Sequence, residues 1–164
     1  MLLKRTLIAA ILASPVTPLA AQGLTFSTET TASCLANTSD MAGQMACIGA
    51  SANACMEDTP GGSSTVAMSG CLDRELQYWD AKLNENYASA LRRARDADGD
   101  TDGAPSATAL REMQRAWIPF RDATCDYERS QWGGGTGGGP ATYSCLMRLT
   151  GQQALYLANS GIGE

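Results

Sequence analysis

The chain has 164 residues, enough for one domain, with 17 acidic residues against 12 basic ones and no histidine. Without histidine a Ser-His-Asp triad, a Cys-His pair and a His-ligated zinc site are all excluded. The acidic balance makes nucleic acid and anionic lipid poor partners and a basic protein a good one.

Residues 1–21 read as a secretory signal. Lys4 and Arg5 form a charged start, Leu7 to Ala13 an apolar run, and Ser14 to Ala21 a small-residue stretch holding two prolines. Cleavage is expected after Ala20 or Ala21. The apolar run is short for a membrane span, which favours a cleaved signal over a retained anchor. No cysteine follows directly, so no lipoprotein anchor is expected. Loss of Lys4 and Arg5 leaves ten basic residues and a net charge of −7, with Lys82 as the one remaining lysine. The expected localisation is periplasmic or secreted, with no membrane partner after cleavage.

Residues 22–164 then form a single domain, divided into a cysteine-containing extension (22–65) and a core (66–160). Ala21 to Thr31 is polar and reads as a frayed lead-in. A helical turn is expected near Cys34. A helix follows from Asp40 to Met56, with Met41, Met45, Ile48 and Ala52 at helical spacing. Glu57 to Thr65 breaks the pattern with Pro60, Gly61 and Gly62.

Ser69 to Asp96 carries the strongest helical signal. Leu72, Leu76, Trp79, Leu83, Tyr87, Leu91 and Ala94 step by three or four residues, one apolar stripe that reads as core. Asp73 and Glu75 near its start and Arg92, Arg93 and Arg95 near its end suit the helix dipole.

Asp96 to Pro105 ends that helix. Within it, Asp98, Asp100 and Asp102 with Gly103 match the first half of an EF-hand calcium loop. The second half fails: position twelve is Ala109, Glu112 comes three residues late, and Pro105 interrupts. A solvated acidic turn is the simpler reading, so no metal or cofactor is assigned.

Ser106 is expected to cap the next helix, with Leu110, Met113, Trp117 and Phe120 on one face. Pro119 within it implies a kink or local break. Six glycines follow in seven residues (Gly133–Gly135, Gly137–Gly139). They lack the lysine and the preceding strand that a phosphate-binding loop needs. Cys125 and Cys145 flank the run, which predicts a disulfide-closed Ω-like excursion. Trp132 at its mouth either packs on the body or anchors a partner. Pro140 suits the first turn of a last helix carrying Cys145, Leu146, Leu149, Ala154, Tyr156 and Leu157.

No segment alternates with period two, so the fold class is all-α, an antiparallel helical bundle. Six cysteines behind a signal imply three disulfides. Fifteen connectivities are possible; the glycine run points to Cys125–Cys145, and the other four cysteines stay open, with Cys55–Cys71 and Cys34–Cys47 preferred as nearest neighbours.

The order CLDRELQYWDAKLNENY, QRAWIPFRDATC, WGGGTGGGP and CLMRLTGQQALYL, from Cys71 to Leu157, resembles the lysozyme-inhibitor LprI-like family. The matched residues include Asp80, Leu83, Asn84, Tyr87, Gln114, Trp117, Arg121, Asp122, Cys125, Cys145, Leu149 and Thr150. The resemblance implies a small secreted or periplasmic helical domain that is not an enzyme and whose partner is a protein, lysozyme or another basic cell-wall hydrolase. One departure is Gln153, where the family usually has an arginine that could pair with Asp80 or Asp122. Asn84 and Arg121 either lock helices together or touch a ligand. With Trp132 and Thr136 they are the candidate partner-binding residues. The competing readings are a structural envelope module, with or without a weak calcium loop, and a carboxylate enzyme, for which no motif pairs two acids.

Overall fold

The computed structural model describes residues 23–99 and 105–160, and among them it holds six α-helices and no strand. The signal segment, Asp100 and Asp102 lie outside the described residues. Three short helices come first: α1 (Glu29–Ala36), α2 (Met41–Ala46) and α3 (Ala50–Asp58). Three long ones form the body: α4 (Thr65–Asp98), α5 (Ser106–Ser130) and α6 (Gly138–Asn159). At 34 residues, α4 runs about 50 Å and spans the molecule.

Cross-helix partners define the directions. Asn86 Nδ2 donates to the Ala154 carbonyl at 3.0 Å and Arg93 Nη2 to the Leu157 carbonyl at 3.4 Å, so α6 runs alongside α4 in the same sense. Gln114 meets Gln153, and Cys125 is bonded to Cys145, so α5 runs the opposite way against α6. The core lies where these surfaces meet. Leu72, Trp79, Leu83 and Ala90 of α4 pack with Met147, Ala154, Leu155 and Leu157 of α6. Leu110, Met113 and Trp117 of α5 lean on them, half-buried. The stripe read from α4 is thus the core face, as its spacing requires. Three bridges staple the bundle: Cys34–Cys47, Cys55–Cys71 and Cys125–Cys145, with Cα separations of 5.7, 5.7 and 5.4 Å.

Several local expectations are corrected. The helix expected over Asp40–Met56 is two helices, parted at Cys47–Gly49. Gly49 has φ of +100°, a left-handed conformation that side-chain-bearing residues rarely adopt, and its N–H turns inward. Met41 is left at the surface, whereas Ala52 is fully buried. The lead-in is docked rather than frayed, since Thr25 N–H donates to Thr59 Oγ1 at 2.9 Å. α4 begins four residues early, at Thr65, because Ser64 Oγ caps it by accepting from Ala67 N–H. That places Asp73 and Glu75 well inside the helix, away from its dipole. α5 is continuous through Pro119. Arg115 and Pro119 are both exposed, so the carbonyl deprived of its donor lies on the water side. Phe120 is 60% exposed and not core. It sits six residues past buried Gln114, about 120° around the helix.

Glu75 has a different task from the one its position suggested. It is wholly buried, and four donors converge on its carboxylate. Oε1 accepts from Thr31 Oγ1 (2.9 Å), Gly49 N–H (2.8 Å) and Trp79 Nε1 (3.0 Å), and Oε2 accepts from Ala52 N–H (2.6 Å). Gly49 and Ala52 open α3, so a residue of α4 caps a helix elsewhere in the chain. Thr31 and Ser51 complete the cluster by exchanging side-chain acceptance for each other's backbone N–H at 3.0 Å.

Asp98 caps α5 in the same manner. Its Oδ1 accepts from Ser106 N–H at 2.6 Å and its Oδ2 from Ala107 N–H at 3.0 Å. Ser106 is therefore the first residue of α5 and is itself capped, a correction to its expected role. Both Asp98 oxygens thus accept a backbone N–H from the start of α5. The Ala107 N–H is the main cause that holds this carboxyl below its ordinary value of 3.8; desolvation offsets part of the effect, and Ser106 and Arg111 add to it.

Two outcomes follow. Glu75→Gln puts an amino donor among four donors and lowers the unfolding free energy by about 2–4 kcal/mol, read from urea titration followed by circular dichroism. Because the folded pKa of Asp98 is depressed, its contribution is complete above pH 3.8 and fades as pH falls through the lower folded value. The melting temperature of Asp98→Ala therefore lies below that of the parent near neutral pH, and the gap narrows on acidification below 3.8.

Candidate functional site

The polar edge of α4 builds one opening in the surface. Residues three and four apart share a helix face, so Gln77, Asp80, Ala81 and Asn84 line up beside the core stripe. α5 contributes Arg121 opposite them, and Leu76 and Leu146 supply apolar surface. The furrow has a volume of about 510 Å³.

Its polar groups are engaged within their own helices. Gln77 Nε2 donates to Asp73 Oδ2 at 2.8 Å, and Asn84 Nδ2 donates to Asp80 Oδ2 at 3.2 Å. Arg121 donates through Nε and Nη2 to Asp122 Oδ1 at 2.9 and 2.7 Å, and its guanidinium lies 5.1 Å from the centre of the Trp117 ring. Asp80 and Arg121 face the same furrow without forming an ion pair. Among the described residues, Asn84 and Arg121 form hydrogen bonds only within their own helices. Among the described residues neither Asp80 nor Asp122 forms an ion pair with α6. Gln153, at the departing position, instead donates to Gln114 Oε1 at 3.0 Å, a neutral pair within the core.

Trp132 and Thr136 lie past the end of α5, in the turn that joins it to α6. Arg121 to Arg129 is eight residues, about 12 Å of helix. There Val66, Ser69, Arg129 and Thr136 line a second furrow of about 520 Å³. The glycine segment is not an Ω-like excursion. It is seven residues, Gln131 to Gly137, wound in successive turns, with Trp132 N–H bonded to the Arg129 carbonyl (3.0 Å) and Gly135 N–H to the Trp132 carbonyl (2.9 Å). α6 then starts at Gly138, inside the glycine run, with Pro140 in its first turn. The Trp132 ring lies against Gly137, where a Cβ would collide with it, and the side chain remains 54% exposed. Trp132 therefore both packs on its own turn and meets solvent. The four candidate partner-binding residues fall into two openings, Asn84 and Arg121 in one and Thr136 with the Trp132 turn at the other.

Sequence reasoning did not single out Gln77 or Leu146 as site residues, and took Asp80 only as a matched position. The available signal was the polar i, i+3, i+7 run Gln77–Asp80–Asn84 flanking the apolar stripe. Among the described residues no group of three or more Cys, Asp or Glu side chains is placed to hold a metal ion. None of the described helices is long and apolar enough to cross a membrane.

Comparison with known proteins supplies the family. The chain is similar to an uncharacterised 17.7 kDa protein in the puhA 5' region of Rhodobacter capsulatus, 28% identical over 82% of this chain and 86% of that protein. It is also similar to an uncharacterised protein of Rhizobium meliloti (strain 1021), 34% identical over 53% of this chain and 66% of that protein. No solved structure matches the chain. The family model described as "Lysozyme inhibitor LprI" matches residues 55–157. That range begins earlier than the resemblance read from sequence, and takes in the Cys55–Cys71 and Cys125–Cys145 bridges, both furrows and the glycine turn. By this match over most of its length, the chain belongs to the LprI lysozyme-inhibitor family.

Proposed function

We propose that this protein is an extracytoplasmic, non-enzymatic binding protein that inhibits a lysozyme or another basic cell-wall hydrolase by covering its active-site cleft. Family membership is the observation that carries this reading. The signal-like residues 1–21 support export, and the mature net charge of −7 suits a basic target. Long-range attraction would raise the association rate, while a few desolvated anchors would set the lifetime of the complex. The stapled bundle favours such a task, because a body that is already ordered loses little entropy when it docks. The docking surface in this reading is the α4–α5 side, with Asn84 and Arg121 in one opening and Trp132 and Thr136 at the other.

The test is clearance of a peptidoglycan suspension by lysozyme in the presence of the purified, oxidised chain. Micromolar protein is expected to slow clearance at low salt. The effect weakens as ionic strength rises from about 10 mM to about 150 mM, which shortens the Debye length from about 30 Å to about 8 Å. Unchanged clearance across lysozymes and other basic wall hydrolases at low salt would refute the proposal.

A further inference from the structure

The α4 wall of the furrow lined by Asp80 and Arg121 carries most of its hydrogen-bonding groups. Gln77 and Asn84 each carry an amide with donors and an acceptor. Both donate within the helix, to Asp73 and to Asp80. Gln77 Oε1, Asn84 Oδ1 and the second oxygen of Asp80 accept no hydrogen bond from the described residues, and each amide keeps a second N–H, all on residues that line the furrow. The one cation lining the furrow, Arg121, has its charge answered by Asp122 at 2.7 Å and its flat face by Trp117. With Arg121 neutralised by Asp122, Asp80 on the opposite wall leaves the furrow a carboxylate that forms no ion pair with the described residues. Leu76, Ala81 and Leu146 give it apolar surface.

We infer that this furrow seats a basic side chain of the protein partner, its methylene stem on Leu76, Ala81 and Leu146 and its charged head on Asp80, Asn84 and Gln77. The inference rests on the proposed inhibitory reading and adds to it the binding opening and the chemistry of the anchor. A long basic side chain is the one residue type with an apolar stem and a head made only of donors. Arginine fits better than lysine, because its planar fork reaches two acceptors at once. The second furrow offers no equivalent, since its charged lining residue is Arg129, which would repel such a head.

Two measurements on the full oxidised chain test this separately from the parent reading. In the first, amide shifts are followed by NMR during titration with acetyl-Gly-Arg-Gly-amide, and again with its citrulline counterpart, an uncharged near-isostere. Shifts confined to residues 76–84, 121 and 146 with the arginine peptide alone are expected. Shifts elsewhere, no shifts, or equal shifts with citrulline overturn the inference. In the second, binding to lysozyme is compared for Asp80→Lys and Asp58→Lys, which change net charge equally; Asp58 is exposed at the end of α3, away from the furrow. Asp80→Lys should weaken binding about tenfold or more and Asp58→Lys about twofold or less, with both variants melting as the parent does. Equal losses would reduce the effect to net charge and overturn the furrow while leaving inhibition standing. Furrow-confined shifts in a protein that inhibits no hydrolase would overturn the parent reading and keep the site.

Discussion

A buried carboxylate organises the N-terminal half of this protein. Helices of eight, six and nine residues are too short to hold in water by themselves. Glu75 gives two of them a common point of attachment, because it sits in the middle of α4 and takes donors from α1 and from the first turn of α3. Removing a carboxylate from water is costly, and four short hydrogen bonds are what offset the cost here. Gly49 belongs to the same arrangement: its left-handed backbone ends α2, starts α3 and aims an N–H at Glu75. The bridges Cys34–Cys47 and Cys55–Cys71 act on the same segment. One ties α1 to the end of α2, and the other ties α3 to α4.

The opposite end of the molecule is held by different means. α5 and α6 are joined by a glycine-rich turn that would be costly to order alone. The Cys125–Cys145 bridge closes a separation of 20 residues around it, worth about 3 kcal/mol in the chain-entropy picture. The turn also orders itself through its own backbone hydrogen bonds and through the Trp132 ring lying on Gly137. The result is a stiff α4–α5 side whose furrow residues take their hydrogen bonds from neighbours on their own helices.

The legible parts of the fold are those governed by periodicity and covalent spacing. The α4 stripe, the long α5 and α6 patterns and the nearest-neighbour pairing of six cysteines all depend on residues close in sequence. The misread parts depend on residues far apart. Nothing near Glu75 announces that its partners are Thr31, Gly49 and Ala52, so it was assigned to the dipole of its own helix. Asp98 was grouped with the acids that follow it, yet it is committed to Ser106 and Ala107. Phe120 shares a face with Trp117 by helical spacing, yet the buried stripe of α5 runs through Ala107, Gln114 and Cys125. Of the site, Asn84 and Arg121 were visible as polar residues at matched positions, but their sharing an opening with Gln77 and Leu146 was not.

By itself, then, the amino-acid order settled the all-helical class, the core stripe of the longest helix, the lack of histidine chemistry and the family. Each is carried by composition or by local repeats, which act over a few turns of chain. The packed molecule alone decided where the short helices end, which acids serve as caps and which polar oxygens are left over at the surface. The partners of the buried cluster are 20 to 44 residues away, as at Thr31, whose bonds reach Ser51 and Glu75. A donor finds such an acceptor only once hydrophobic burial has brought the helices together.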